Sequence, residues 1–177
     1  MQTVSPSAYQ PLVSIIVPIT NDAHESTRRL DCARAQTWHR LEVIPVQVQV
    51  PSGIAHAVNA GLAACRGDFI SLLLPGASYA TDKIARQVAF VEQFDLQDAA
   101  VFCDYTLLNG GHADGVPIAL PSIDPTAMFR KIYCGLPIDC STLLVSRKAI
   151  AKLGLLDEHG GQAALQGFLL ALSQQTD

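Results

Sequence analysis

No apolar run in this 177-residue chain approaches the ~20 residues that a membrane-spanning helix needs. The opening "MQTVSPSAYQPLVSIIVPIT" lacks the basic flank of a signal peptide, and Pro18 interrupts its one apolar stretch. Charge is scarce: 16% of residues are Asp, Glu, Lys or Arg, with 12 basic against 16 acidic and a net charge of −4. No basic cluster exceeds Arg28-Arg29, so the chain has no stripe that would track the phosphates of a nucleic acid. The five cysteines (Cys32, Cys65, Cys103, Cys134, Cys140) form no C-x-x-C pair, which argues against zinc and fits small core residues of a reduced protein. Together these absences predict a cytoplasmic protein with no nucleic-acid partner and no transmembrane segment.

What the chain has in quantity is aliphatic side chains. Hydrophobic residues make up 49% of it, and the mean hydropathy is +0.25. Strands buried on both faces of a parallel sheet account for such a composition, and the length suits one domain with a sizeable core. "LVSIIVPI" (12–19) reads as a buried strand, followed by cap-type Asn21 and Asp22 and a helix over 24–36. "LEVIPVQVQV" (41–50) reads as a strand whose Val/Gln alternation marks its emergence toward water, and Pro45 places it at an edge or a bulge.

Ser52 is placed to cap a helix over 53–64; 69–74 reads as a third strand, and Thr81 as the cap of an amphipathic helix reaching 94. A fourth strand over 99–105 completes a β-α-β-α-β-α-β order, which predicts an α/β, Rossmann-like, mostly parallel central sheet with helices on both faces. Residues 109–126 are rich in Gly and Pro and read as a long loop. A strand over 140–145, a short helix over 147–153 and a last helix over 163–173 follow, and the chain reads as an excerpt of a longer polypeptide.

Five stretches, in order, resemble the GT-A glycosyltransferases of family 2: "PLVSIIVPITN" (11–21), "QTWHRLEVI" (36–44), "GIAHAVNAGLAACRGDFISLL" (53–73), "VFCDY" (101–105) and "CSTLLVSRKAIAKLGLLDE" (140–158). Pro18, Asn21, Gly53, Ala57, Asn59, Gly61, Gly67 and Asp68 fall on familiar positions. The resemblance implies a GT-A fold with a nucleotide-binding-like half over 11–105 and an acceptor-like half over 106–177, after a tail of residues 1–10. It also implies where acids should stand, and there the chain departs. The base-contacting Asp pair falls on Gln47 and Val48, and Val58 stands where an Arg often precedes Asn59. The metal-holding Asp-x-Asp falls on Leu74-Pro75-Gly76, followed by Ala77. The acidic pair that supplies the family's base has no counterpart in "GGQAALQGFLL" (160–170).

Those residue types matter because transfer from a nucleotide-diphospho-sugar develops charge on the leaving diphosphate. In the family Mg²⁺ or Mn²⁺ on hard oxygen ligands offsets it, and a base activates the acceptor hydroxyl. Leu74, Gly76 and Ala77 supply no metal ligand, so no cofactor is expected. Gln47 reads either as a hydrogen-bond acceptor for a base or as a solvent-facing strand end. Asn21 reads as a nucleotide-positioning residue or a turn cap, Asp104 as an acceptor-side acid or a strand-end cap, and the Asp157-Glu158 pair as a substitute base or a turn. Asn59 is carried over as nucleotide-binding by the resemblance alone. His56 and His112 read as solvated histidines, and Cys134 and Cys140 have no neighbouring His that would make a nucleophile.

The reading that follows is a glycosyltransferase-like domain that has given up the reaction, binding a nucleotide, a glycan, a protein partner or its own copy in surface-polysaccharide biosynthesis. Two alternatives stay open. One is an active metal-independent transferase using Arg66, Lys83, Arg130, Lys131 or Arg147 against the diphosphate; the other is a pure scaffold or oligomerisation domain.

Overall fold

The computed structural model describes residues 10–49, 53–108, 115–120, 125–135, 137–161 and 163–174, the side chains of 125 and 126 excepted. Strand β1 (Val13–Ile19) is buried from both sides because its alternate side chains feed two different cores. Val13, Ile15 and Val17 join Phe69, Leu73, Ile84, Val88 and Leu144 on one face, and Ile16 joins Val58, Ile70, Leu72 and Val145 on the other. Helices α1 (Ala23–Arg34) and α3 (Lys83–Gln93) contribute to the first core. Helices α2 (Gly53–Ala64), α5 (Arg147–Leu153) and α6 (Ala163–Leu172) contribute to the second. The aliphatic composition is thereby spent on a sheet covered on both sides, as predicted.

The sheet order is β2-β1-β3-β7-β4. Strands β2 (Leu41–Gln47) and β3 (Phe69–Leu72) run parallel to β1 on either side of it. Pro45 does lie on an edge strand. Strand β7 (Leu144–Ser146) is antiparallel to both β3 and β4 (Ala100–Val101), so the sheet is mixed at that side rather than continuously parallel. The expected strand 140–145 begins late because the Asp139 carboxylate accepts from Ser141 N at 2.7 Å and starts a 3₁₀ turn over Cys140–Thr142.

The expected strand 99–105 divides in two. Beyond Val101 the chain leaves the sheet, and β5 (Tyr105–Leu107) pairs with β6 (Val116–Ile118) as a separate antiparallel ribbon. The long loop predicted over 109–126 is therefore partly ordered, and helix α4 (Pro125–Tyr133), which the sequence reading left unassigned, begins inside it. Residues 109–114 and 121–124 of that loop, the Ser52 cap, the strand end at Val50 and Met1–Tyr9 of the tail lie outside the described residues. The cap expected from Thr81 is replaced by Gln36: its Oε1 accepts from Ile84 N at 3.1 Å while its Nε2 donates to Ala80 O at 2.8 Å. Glycine 67 sits at a close crossing, where a Cβ would lie 2.6 Å from Ser14 N and 2.7 Å from Phe69 O.

Between α3 and the sheet lies a lysine, 8% exposed. Lys83 Nζ donates to Ser71 Oγ (3.2 Å) and Leu143 O (3.3 Å) and stands 4.1 Å from the Tyr79 ring centroid. Burial lowers its pKa to about 8. Below that pH both folded and unfolded chains carry the proton, so the full desolvation penalty applies. Between about 8 and the ordinary 10.5 only the unfolded chain keeps it, and the penalty fades as pH rises. Ser71 Oγ also donates to Leu143 O at 2.7 Å, so both lysine partners stay bonded without it. Lys83→Met is accordingly expected to stabilise the fold at pH 7 by up to about 3 kcal/mol. Denaturant titrations of both forms should show the difference shrinking toward zero by pH 10.5.

Candidate functional site

In open α/β sheets ligands collect outside the carboxyl ends of the strands, where successive connections leave in opposite directions. Here β1 leads through α1 to β2 on one side, while β3 lies on the other, so that point falls between β1 and β3. Register pairing of β1 with β3 ends at Ile16 and Leu72, and the two chains then diverge. A cation fills the gap. Arg29, completely buried, donates through Nη1 to Pro18 O (2.6 Å), near the end of β1, and to Leu73 O (3.2 Å), just past the end of β3. Its Nε lies 2.7 Å from Glu25 Oε1, one helical turn earlier on α1. The same Glu25 oxygen accepts from Gly76 N at 3.0 Å.

The rim that looked bare of acid in sequence therefore holds one, delivered from α1 rather than from the strand. The signal was an acid and a base four residues apart on one helix; what sequence could not show is that this pair faces inward. The Pro75-Gly76 turn is shaped by a positive φ of 83° at Gly76, which glycine adopts without strain. Leu74, at the first Asp-x-Asp position, is 7% exposed and belongs to the core shared with α2 and α6.

The remaining candidates scatter. Gln47 is exposed at the end of β2, opposite Ile19. Asn21 is exposed ahead of α1, and the helix cap is its neighbour, with Asp22 Oδ1 accepting from Glu25 N at 2.9 Å. Pro18 is present through its carbonyl alone. Asp104 uses Oδ1 to accept from Leu120 N at 2.7 Å, fastening the backbone just after β6. The basic side chains are no better gathered. Arg66 pairs with Glu42 and Arg147 donates to Cys65 O and Gly67 O, both at the amino edge of the sheet; Lys83 is buried under α3. Arg130 and Lys131 lie on α4.

Asn59 joins a different cluster from the one expected. Buried to 6% exposure, it accepts from Leu156 N, and its Nδ2 donates to both Leu156 O and Glu158 Oε1, all at 2.9 Å. Both ends of its amide are thus committed to the 156–158 turn. The other Glu158 oxygen lies 2.9 Å from His56 Nδ1, so His56 has a carboxylate partner 102 residues away rather than water alone. The Asn59 and His56 hydrogen bonds hold the Glu158 carboxyl below its usual range. Asp157 faces elsewhere, its Oδ1 accepting from His159 N at 2.9 Å. It lines a cleft of about 230 Å³ between the 153–157 segment and α6, walled by Leu155, Gly160, Ala163, Gly167 and Phe168.

These positions can be set beside known proteins. No family model matches the chain. Among curated relatives, uncharacterised glycosyltransferases of Rickettsia typhi and Rickettsia prowazekii are 26% and 27% identical, over 86% and 85% of this chain and 55% of each relative. The chain thus spans about half the length of the curated relatives it matches. Among solved structures, TarS residues 1–349 of S. aureus superposes with a TM-score of 0.68 at 16% identity, covering 91% of this chain and 55% of that one. The mannosyltransferase PcManGT of Pyrobaculum calidifontis, solved with GDP-Man and Mn²⁺, gives 0.57 at 22% identity, over 88% and 50%. The chain has a glycosyltransferase GT-A-like fold, with a mixed but mostly parallel five-stranded sheet. Among the described residues no helix is long and apolar enough to cross a membrane.

Two substitutions test the clamps. Arg29→Met strands Pro18 O and Leu73 O and leaves Glu25 without its cation, so it should cost about 2–4 kcal/mol. Asn59→Ala unpairs the Leu156 backbone and should cost about 2–3 kcal/mol. Thermal melts should register roughly 2–4 °C for each kcal/mol in a domain of this size.

Proposed function

We propose that this domain is a glycosyltransferase-like module that no longer performs metal-dependent sugar transfer and works by binding in glycan or surface-polysaccharide assembly. The observation that carries this reading is the Glu25–Arg29 pair at the β1/β3 divergence. A diphosphate at that point would face a carboxylate already seated on Gly76 N–H, and the nearest guanidinium is spent on two backbone carbonyls. Among the described residues there, no free cation stands by to offset the charge that leaves with a nucleotide diphosphate.

The metal that such folds use was tested against the residues themselves. Mg²⁺ or Mn²⁺ asks for several hard oxygen ligands. Leu74 is turned into the core, Gly76 has no side chain, and Glu25 is held by Arg29. The described residues do not fit the ion. On the acceptor side, residues 160–170 contain no carboxylate, and Ala164 and Phe168 of α6 pack into the core. The basic side chains weighed for a metal-independent reaction are at the amino edge, buried, or on α4, which weighs against that alternative.

The reading takes 11–105 as the nucleotide-like half and 106–177 as the acceptor-like half of one domain, in a family 2-like protein of the cytoplasm. TarS has also been solved in complex with UDP, which makes a uracil nucleotide the first ligand to try on this chain, with Gln47 as the side chain placed to accept from a base. Calorimetric titration with UDP, GDP and their sugars, with and without Mn²⁺, is the test. We expect no Mn²⁺-dependent binding at micromolar concentrations, and sugar-nucleotide turnover at background. Micromolar binding that requires Mn²⁺ would overturn the proposal; metal-independent turnover would establish the active-transferase alternative in its place.

A further inference from the structure

Among the described residues four strands have an unpaired side: β2 and β4 in the five-stranded sheet, β5 and β6 in the ribbon. Three of them are protected against the addition of another strand. Edge strand β2 carries Pro45, β4 is two residues long, and β6 carries Pro117. Strand β5 has neither proline nor charge.

The ladder fixes which groups that open side presents. Tyr105 pairs with Ile118, Thr106 with Pro117 and Leu107 with Val116. Proline has no N–H, so Thr106 and Pro117 form the non-hydrogen-bonded pair of the antiparallel ladder, and the pairs on either side carry the bonds. The Thr106 N–H and C=O therefore point away from β6, and among the described residues neither has a partner. Tyr105, Leu107, Val116 and Ile118 share one face of the ribbon, with Thr106 and Pro117 on the other. The apolar face is held at one end, where Tyr105 Oη donates to Pro137 O at 2.8 Å. At its other end Leu107, Val116 and the adjacent Leu108 are each more than half exposed.

We propose that β5 is a self-association edge: two copies of this chain pair β5 with β5, antiparallel, about a twofold axis at Thr106. The two Thr106 residues exchange both N–H···O bonds, and Tyr105 of each copy stands opposite Leu107 of the other. The two ribbons become one four-stranded sheet in the order β6-β5-β5-β6.

Several features of the edge fit a second copy. A residue that is non-bonded on one side of an antiparallel ladder is bonded on the other, so an axis through Thr106 satisfies its N–H and C=O without a slip in register. The same axis runs each apolar row across the seam as Val116 and Leu107 of one copy, then Tyr105 and Ile118 of the other. The exposed half of one face is thus always set beside the held half of its neighbour. Asp104 falls opposite Leu108 rather than its own counterpart, so no like charges meet. A lone two-stranded ribbon is marginal in water, whereas a sheet of four strands with one apolar face is not. Pro117 blocks both outer edges of that sheet, so the association closes at a dimer and does not grow into a filament.

Sedimentation velocity of the full chain over about 1–500 μM tests this. Three-residue strands make a short seam, below the standard interface class. The expected species is a dimer of twice the 18.9 kDa chain mass, with a Kd of about 10–100 μM. Thr106→Pro removes the outward N–H and leaves the bonds to β6 intact, while Leu107→Lys puts a cation on the edge. Each should weaken dimerisation about tenfold or more. Phe94→Lys, at an exposed aromatic just past α3, should leave it within about threefold. Thr106 and Leu107 are exposed, and thermal melts matching the parent will show that loss of the dimer is not loss of the fold. Should Thr106→Pro alter the melt, Leu107→Lys carries the test. Deuterium exchange at the Thr106 amide should slow as protein concentration rises. A chain that stays monomeric throughout the range overturns the proposal and leaves the edge to an extended segment of another protein. A dimer undiminished by the edge variants, a dimer lost with Phe94→Lys instead, or a Thr106 amide unprotected in the dimer overturns it too. The edge lies on a separate ribbon from β1 and β3, so the nucleotide titration leaves this result readable.

Discussion

The guanidinium of Arg29 decides what the carboxyl edge of this sheet can be. It is a cation without solvent contact, held by carbonyls at the ends of β1 and β3, Pro18 O and Leu73 O, and by one carboxylate. A buried charge of this kind persists only if every partner stays in place. That requirement fixes α1 against the ends of β1 and β3 and holds Glu25 on the Pro75-Gly76 turn, so that an ion pair of the protein itself stands at the point where α/β sheets ordinarily admit a ligand.

A second polar clamp holds the two halves of the chain together. Asn59 satisfies both backbone groups of Leu156 and steadies Glu158, which in turn receives His56. The buried amide turns a surface loop into a fixed neighbour of α2. Asp104 repeats the pattern on a smaller scale, spending its carboxylate on Leu120 N. Polar side chains that a functional reading would assign to ligands are, in this fold, fastening backbone.

The architecture was readable because it rests on periodicity and punctuation: β-branched runs at β1 and β3, the amphipathic α3, the proline that marks the β2 edge. The parts that were not readable depend on contacts between distant residues. Nothing local says that β7 inserts antiparallel between β3 and β4, since a three-residue strand carries no period of its own. Nothing local pairs His56 with Glu158, or shows that the cap of α3 comes from Gln36. Helix α4 was hidden because Gly- and Pro-rich flanks bound a short segment in which, among the described side chains, Met128 and Ile132 pack inward. Of the candidate site, the missing acids were legible from motif order, but the side chains that replaced them in space were not.

A scaffold of this shape can be stable without acids on its rim. Both cores lie on the faces of the sheet, whereas the acids of a transferase of this shape would lie on its rim, so stability and chemistry draw on different residues. A cluster of carboxylates without its cation is self-repelling and raises the free energy of the fold. Leucine at position 74 adds no such repulsion, and its burial in the core shared with α2 and α6 contributes about 1.5–3 kcal/mol.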